Sequence, residues 1–304
     1  TSMAINIQSQ INYTRENEYE ADRLGIQTLV DAGYDPYGMA DFFSKIAEKY
    51  QYASSMPQML LTHPLTDIRL AEARLRASQF ETKQIKNSLN YQLSSARITV
   101  RYNKISADAA LNLYQSQLKN NKYQLKEAAL YGLALAYFEK KDYIKAHEII
   151  LDLIKKQPDN LFFIDLLTDT SLSLNKADAV IELLLQHYKK SPENAVYTIN
   201  LVHALQVNKQ YQQAEKILEL FIRSHPEHIL AQQLAIDLYR TMKNRAKEHA
   251  SKAQYLALQG RFREASQEMG TALAYTENNL DQARYSAKIE IYKKDDVRLQ
   301  ALQE

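Results

Sequence analysis

Residues 128–160 read AALYGLALAYFEKKDYIKAHEIILDLIKKQPDN. The stretch closes on Lys155, Lys156 and Pro158; cations in a last helical turn complement the helix dipole, and a proline cannot continue the helix. Pro158 recurs as Pro192 and Pro226, and each interval is 34 residues. A fixed period of that size marks stacked supersecondary units, and 34 is the length of a helix–turn–helix repeat. Alignment on the prolines brings Leu133, Leu167 and Leu201 together in the first helix of each unit and Ile150, Leu184 and Leu218 in the second.

The composition agrees with helices throughout. The 304 residues hold six glycines and six prolines, and residues 65–131 hold neither. Strands joined by tight turns need more of both, so an all-α chain is expected. The length suits two domains, and 45% hydrophobic content suits a true core. Residues 82–122 are rich in Gln, Asn, Ser and Lys, which places a boundary within residues 80–90. The expected domains are therefore residues 1–82 and 83–304. Thirty-eight Lys and Arg stand against 36 Asp and Glu, giving no bulk field for nucleic acid or an acidic membrane. There is no cysteine, hence no disulfide framework and no thiolate chemistry. No apolar run approaches the ~18 residues that span a bilayer, and the opening TSMAINIQSQ lacks the pattern of a secretory signal. The chain does not open on Met, which reads as a piece of a longer protein or a processed product.

Within the first unit, Leu133, Ala134, Tyr137, Ala146, Ile150 and Pro158 resemble the tetratricopeptide repeat pattern of large, small, aromatic, small, apolar and proline. Ala134 and Ala146 let two antiparallel helices approach, and Tyr137 fills the groove between them. Units are expected near residues 127–160, 161–194 and 195–228. The middle one is poorer, with Val180 where a small residue belongs. An atypical unit is expected near residues 246–279, where Gly260 and Ala265 supply turn and small position, with an inserted helix between Ile229 and Ala246. A degenerate helix is expected over residues 103–114. Such arrays coil into a superhelix whose inner groove binds peptides or partner proteins.

Several motifs lead nowhere. HEIIL at His147 begins like a zinc-protease helix, but Leu151 stands where the second histidine must be. His225 and His228 flank a repeat-ending proline and read as a solvated turn rather than a metal pair. The lysine pairs before Pro158 and Pro192 read as helix ends rather than a nucleic-acid ladder.

Near the start, ENEYEADRLG (residues 16–25) places Glu16, Glu18, Glu20 and Asp22 at alternate positions of an expected helix. Ala21, Leu24, Thr28 and Ala32, widened by Ile26, Leu29 and Val30, suggest its apolar stripe. Gly33 ends that helix, and a second is expected over residues 37–49. Glu18 and Asp22 share one face, Glu16 and Glu20 another. One carboxylate can bind Zn²⁺ while a second, one turn on, accepts the N–H of a histidine ligand. An acidic first turn stabilised by the helix dipole has the same spacing, and spacing alone leaves both readings open.

ENEYEADRLGIQ, followed by LLTHPLTDIRLAEAR from Leu60, resembles the downstream half of a zinc metallopeptidase domain of the HtpX and CAAX-prenyl-protease family. With the repeats behind it, the combination is similar to periplasmic proteases of Gram-negative bacteria that serve outer-membrane β-barrel assembly. The resemblance implies the C-terminal part of a helical zincin-like domain ahead of a tetratricopeptide array. It implies Zn²⁺ as cofactor, Glu18 as a metal ligand and Asp22 as the carboxylate orienting a histidine ligand. His63 would lie at the metal, capping its open position or stabilising an oxyanion, and Arg69 would anchor the loop. Implied partners are unfolded or misassembled outer-membrane proteins and the β-barrel assembly machinery, for a periplasmic monomer. The departure is large: none of the seven histidines lies in an H-E-x-x-H, so two ligands and the general base are missing. The 304 residues alone are therefore expected to be inactive, with that segment truncated away. The rival expectation is a non-enzymatic repeat scaffold capped by an inert first eighty residues.

Overall fold

The computed structural model describes residues 2–50, 60, 63–82 and 88–302, with side chains from residue 16. Among the described residues there are fifteen helices and no strand, so the all-α expectation holds. The chain divides into two compact units, Thr1–Asn87 and Ser88–Glu304.

The first unit has α1 (Ser2–Asp31), α2 (Gly38–Tyr50) and α3 (Asp67–Ala77). Gly33, at φ 81°, ends α1 in a left-handed cap: its N–H donates to Val30 O at 3.0 Å, and that of Tyr34 to Leu29 O at 2.8 Å. Asp35 then accepts from the Tyr37 N–H at 3.0 Å and turns the chain into α2. Helix α3 packs on both α1 and α2. Its start is fixed by Thr66, whose hydroxyl accepts from the Arg69 N–H at 3.2 Å.

 The core of this unit is thus Ile26, Ala40, Phe43 and Ala73 together, with Met39, Leu65, Leu70 and Phe80 packed around it.

Of the stripe expected on α1, only the widening residues Ile26, Leu29 and Val30 turn inward. Ile26 is 1% exposed, but Leu24 is 55% exposed, and Ala21 and Thr28 are exposed too. The inward face instead runs Glu18, Asp22, Ile26, Leu29, one turn apart at each step. Two carboxylates lie on the core side of the helix, and they stay there because a cation from α3 meets them.

The second unit starts with α4 (Leu89–Arg101) and α5 (Ala107–Lys119), which fill the polar stretch where the apolar periodicity is weak. They bury Leu93, Ala96, Val100, Ala110, Leu111 and Tyr114. The helix expected over residues 103–114 begins later, at Ala107, because Ser106 caps it by accepting from the Ala109 N–H at 3.2 Å. Helices α6 (Lys126–Glu139) and α7 (Tyr143–Lys156), α8 (Leu161–Ser173) and α9 (Ala177–Lys190), and α10 (Ala195–Val207) and α11 (Tyr211–Ser224) follow as pairs. Then come α12 (Ile229–Thr241), α13 (Arg245–Leu258), α14 (Phe262–Ala274) and the longer α15 (Asn279–Ala301).

The period is written into the backbone as well. Lys141, Asn175, Lys209 and Lys243, spaced by 34, all have φ between 58° and 66°. Each closes a first helix with the same pair of bonds; at Lys209 these are Lys209 N–H to Gln206 O at 3.0 Å and Gln210 N–H to Leu205 O at 2.8 Å. Ala134, Ala146, Ile150, Leu184, Leu201, Ala214 and Leu218 are all fully buried. Alternate helices α4, α6, α8, α10 and α12 also pack side by side in that order, so the first helices of successive units form one continuous layer. His225 and His228 serve the turn between α11 and α12. His228 Nδ1 accepts from the Ala231 N–H at 3.2 Å, and the His225 ring stacks on Phe221 at 4.5 Å.

Candidate functional site

Four side chains from α1, α3 and the segment before α3 meet in the first unit. The Arg69 fork lies against α1: Nε donates to Asp22 Oδ2 at 2.7 Å and Nη2 to Asp22 Oδ1 at 2.8 Å. Its Nη1 lies 2.8 Å from Glu18 Oε2 and donates to the Pro64 carbonyl at 3.1 Å. His63 Nδ1 is 2.5 Å from Glu18 Oε1. Residues 45 and 47 positions apart in sequence are thus in direct contact.

The burial is graded. The side chains of Arg69, Asp22 and Glu18 are 10%, 13% and 16% exposed, whereas that of His63 is 59% exposed. The cluster is therefore a nearly buried ionic floor with an open imidazole at its rim. The guanidinium also lies over the Phe43 ring, 5.2 Å from the centroid, an arrangement that a planar cation favours. The hydrogen bond to Asp22 pushes the Arg69 pKa above its already high value; burial opposes this, and the Asp22 and Glu18 charges reinforce it. Arg69 is a permanent cation. Nearly buried pairs of this kind depend on satisfied geometry, and the bidentate fork on Asp22 supplies it.

Glu18, Asp22, His63 and Arg69, the four residues singled out in the sequence, are thus brought together. Glu16 and Glu20 are exposed, and Glu20 lies 3.7 Å from Arg23. A pairing of Glu16 with Arg15 falls outside the described side chains. The sequence did not single out Phe43, Thr66 or the Pro64 carbonyl. Of these only Thr66 left a signal, as a capping residue ahead of the acidic first turn of α3.

A carboxylate and an imidazole are donors that Zn²⁺ takes. The pair fits such an ion in kind but not in number, since a tetrahedral site needs four positions filled. Among the described residues no three His, Asp or Glu side chains are grouped to hold a metal. Asp22 keeps acceptor capacity beyond the Arg69 fork, because an ionised carboxylate offers about four lone-pair sites.

A second charged cluster lies in the repeat unit. Arg97 on α4 donates to Asp165 Oδ2 on α8 at 2.8 Å and to the Tyr131 hydroxyl on α6 at 2.9 Å from Nε. Arg101 donates to Asp169 Oδ2 at 3.0 Å and to Glu139 Oε1 at 3.2 Å. Asn200 on α10 donates to Asp165 Oδ1 at 3.1 Å. Burial pushes the Tyr131 pKa up to about 12, against the pull of Arg97. None of these residues was singled out in the sequence, although Arg97, Tyr131 and Asp165 follow the 34-residue period.

Residues 1–77 match the model of peptidase family M48. A Vibrio cholerae protein, provisionally named a beta-barrel assembly-enhancing protease, is 39% identical over 290 residues, 95% of this chain and 60% of its own. The beta-barrel assembly-enhancing protease of Escherichia coli K12 is 34% identical over 284 residues, 93% of this chain and 58% of its own. The chain thus spans about three fifths of the length of these relatives. Among solved structures, a tetratricopeptide repeat protein from Parabacteroides merdae is 15% identical, covering 84% of this chain and 100% of its own with a TM-score of 0.44.

Proposed function

The chain is homologous with the beta-barrel assembly-enhancing proteases over more than nine tenths of its length, and on that premise we propose that it forms the downstream part of a periplasmic zinc metalloendopeptidase. One observation carries the proposal: Glu18, Asp22, His63 and Arg69 converge on one partly open floor from positions more than forty residues apart. The remaining ligands and the general base would come from an H-E-x-x-H segment outside residues 1–304. Bound there, zinc would polarise the scissile carbonyl and lower the pKa of its water. Glu18 would be the carboxylate donor. Asp22, anchored by Arg69, would accept the N–H of a histidine ligand and so fix its tautomer. His63, exposed and within reach of Glu18, would supply a further donor to the metal or to an oxyanion.

The repeat unit would dock clients or an assembly machine through the layer of first helices, the surface that such arrays present to partners. The relatives' name points to outer-membrane β-barrel proteins as clients. Among the described residues no helix is long and apolar enough to cross a membrane. The experiment is metal analysis and casein cleavage by the protein that carries both this chain and the histidine pair. One zinc per molecule and cleavage abolished by chelation are expected. A gene with no H-E-x-x-H codons ahead of Thr1 would sink the proposal.

A further inference from the structure

The first unit also holds a cavity of about 590 Å³ that none of the four clustered side chains lines. Its apolar wall is Ile46, Leu60 and Leu65, with Leu60 buried and the other two half-buried. Two exposed carboxylates, Glu48 and Asp67, line it as well. Among the described residues neither carboxylate has an ion-pair or hydrogen-bond partner. Asp67 has a local reason for its place, since it opens α3 and a helix N-terminus favours a negative charge. Glu48 has none. It stands in the last turn of α2, where the carbonyl end of the helix repels an anion.

We propose that this cavity takes a lysine or arginine side chain of a bound peptide. Such a side chain lays its methylene stem along apolar surface and keeps its charged head at the rim. Ile46, Leu60 and Leu65 receive the stem, and Glu48 and Asp67 receive the head. The volume lies within the range of sites that enclose a small ligand, so one long side chain fits with room for the backbone around it. Pro64 forms part of the wall, and Arg69 donates to its carbonyl at 3.1 Å. The cavity therefore adjoins the exposed His63 through a single peptide unit. Its part in choosing a substrate rests on the metallopeptidase reading above, under which it favours a basic residue beside the scissile bond.

The test uses two fluorescein-labelled peptides that differ only in lysine or norleucine at one central position, because norleucine keeps the stem and loses the ammonium. Each is titrated into the 304-residue chain and followed by anisotropy. The lysine peptide should bind about tenfold tighter at low salt, and the advantage should shrink at about 0.5 M salt, where exposed charges are screened. In the double variant Glu48→Gln, Asp67→Asn it should fall to about twofold or less. Equal affinities for the two peptides, or a lysine advantage that survives the double variant, would overturn the proposal. If circular dichroism shows that the double variant does not fold, Glu48→Lys is read in its place and should reverse the preference; an unreversed preference there is equally fatal. Cleavage separates the two levels of inference. In the protein that also carries the histidine pair, the lysine peptide should be cut with about tenfold higher kcat/KM. A lysine preference in binding with no cleavage of either peptide or of casein defeats the metallopeptidase reading and leaves the cavity standing. Cleavage without the preference in binding defeats the cavity alone.

Discussion

The molecule contains two arginine–carboxylate clusters, and they differ in what closes them. In the repeat unit Arg97 and Arg101 face Asp165, Asp169 and Glu139, with Asn200 and Tyr131 completing the hydrogen bonds. In the first unit a single Arg69 serves both Glu18 and Asp22, leaving one negative charge in excess beside an exposed imidazole. The cluster of the repeat unit is met on all sides by protein donors and acceptors and ties four helices of the array together. The cluster of the first unit instead ends on an imidazole that is 59% exposed. Similar chemistry thus lies inside the packing in one unit and reaches the surface in the other.

Turning a carboxylate into its amide at each cluster sharpens that contrast, and the largest effect falls on metal content. With Glu18→Gln, zinc in the complete protein should fall from one per molecule to nearly none, read by atomic absorption after dialysis. The metal-free stability of the variant should change little, because Arg69 keeps its bidentate bond to Asp22. Asp165→Asn should do the reverse. It leaves Arg97 without its counter-charge and sets an amide against the Asn200 amide, at a cost of about 2 kcal/mol, below the range for fully buried pairs because a quarter of each side chain is exposed. Urea unfolding of the repeat unit would measure it. Equal destabilisation by the two substitutions would end the distinction.

The two units also differ in how much of them is legible in sequence. The array is periodic, so proline spacing, buried small residues and even the left-handed turn residues repeat every 34 positions and can be read by alignment of the chain with itself. Arg97, Tyr131 and Asp165 obey that period too, but a periodic position does not say which of its neighbours in the stack it will pair with. On α1 the apolar pattern marks Ile26, Leu29 and Val30 but not the inward carboxylates, for a related reason. Glu18 and Asp22 occupy the core side only because Arg69, on α3, neutralises them there. Hydrophobic patterning has no means to register a partner that distant. The grouping of His63 with Glu18 was reached through family motifs, not through the residue pattern.

The turns offer a smaller test within the array. Lys209 holds φ 60°, a region in which a side chain bearing Cβ is strained and glycine is not. Lys209→Gly should therefore stabilise the repeat unit by about 0.5 to 1 kcal/mol, seen as a higher urea midpoint at unchanged slope. In the first unit the corresponding position is already Gly33, at φ 81°, and Gly33→Ala should cost a similar amount. A destabilised Lys209→Gly would mean that its side chain carries a contact outweighing the backbone strain.

The smallest expected effect concerns acid. Burial works to raise the Glu268 pKa, but hydrogen bonds from Lys252 and His249 outweigh it and hold the carboxyl below its ordinary 4.5. Glu219 behaves in the same way, with Lys247 and the Tyr239 hydroxyl overcoming its burial. A carboxyl whose folded pKa is depressed binds its proton more readily in the unfolded chain, so its stabilising contribution is complete above pH 4.5 and is lost as pH falls through the folded value. Both carboxylates brace α11 to α14, so those helices should lose stability first on acidification below that point. Glu268→Gln cannot titrate and should flatten the decline, measured as the urea midpoint between pH 5 and about pH 3. An unchanged slope would place the acid sensitivity elsewhere, with Glu219 as the next group to substitute.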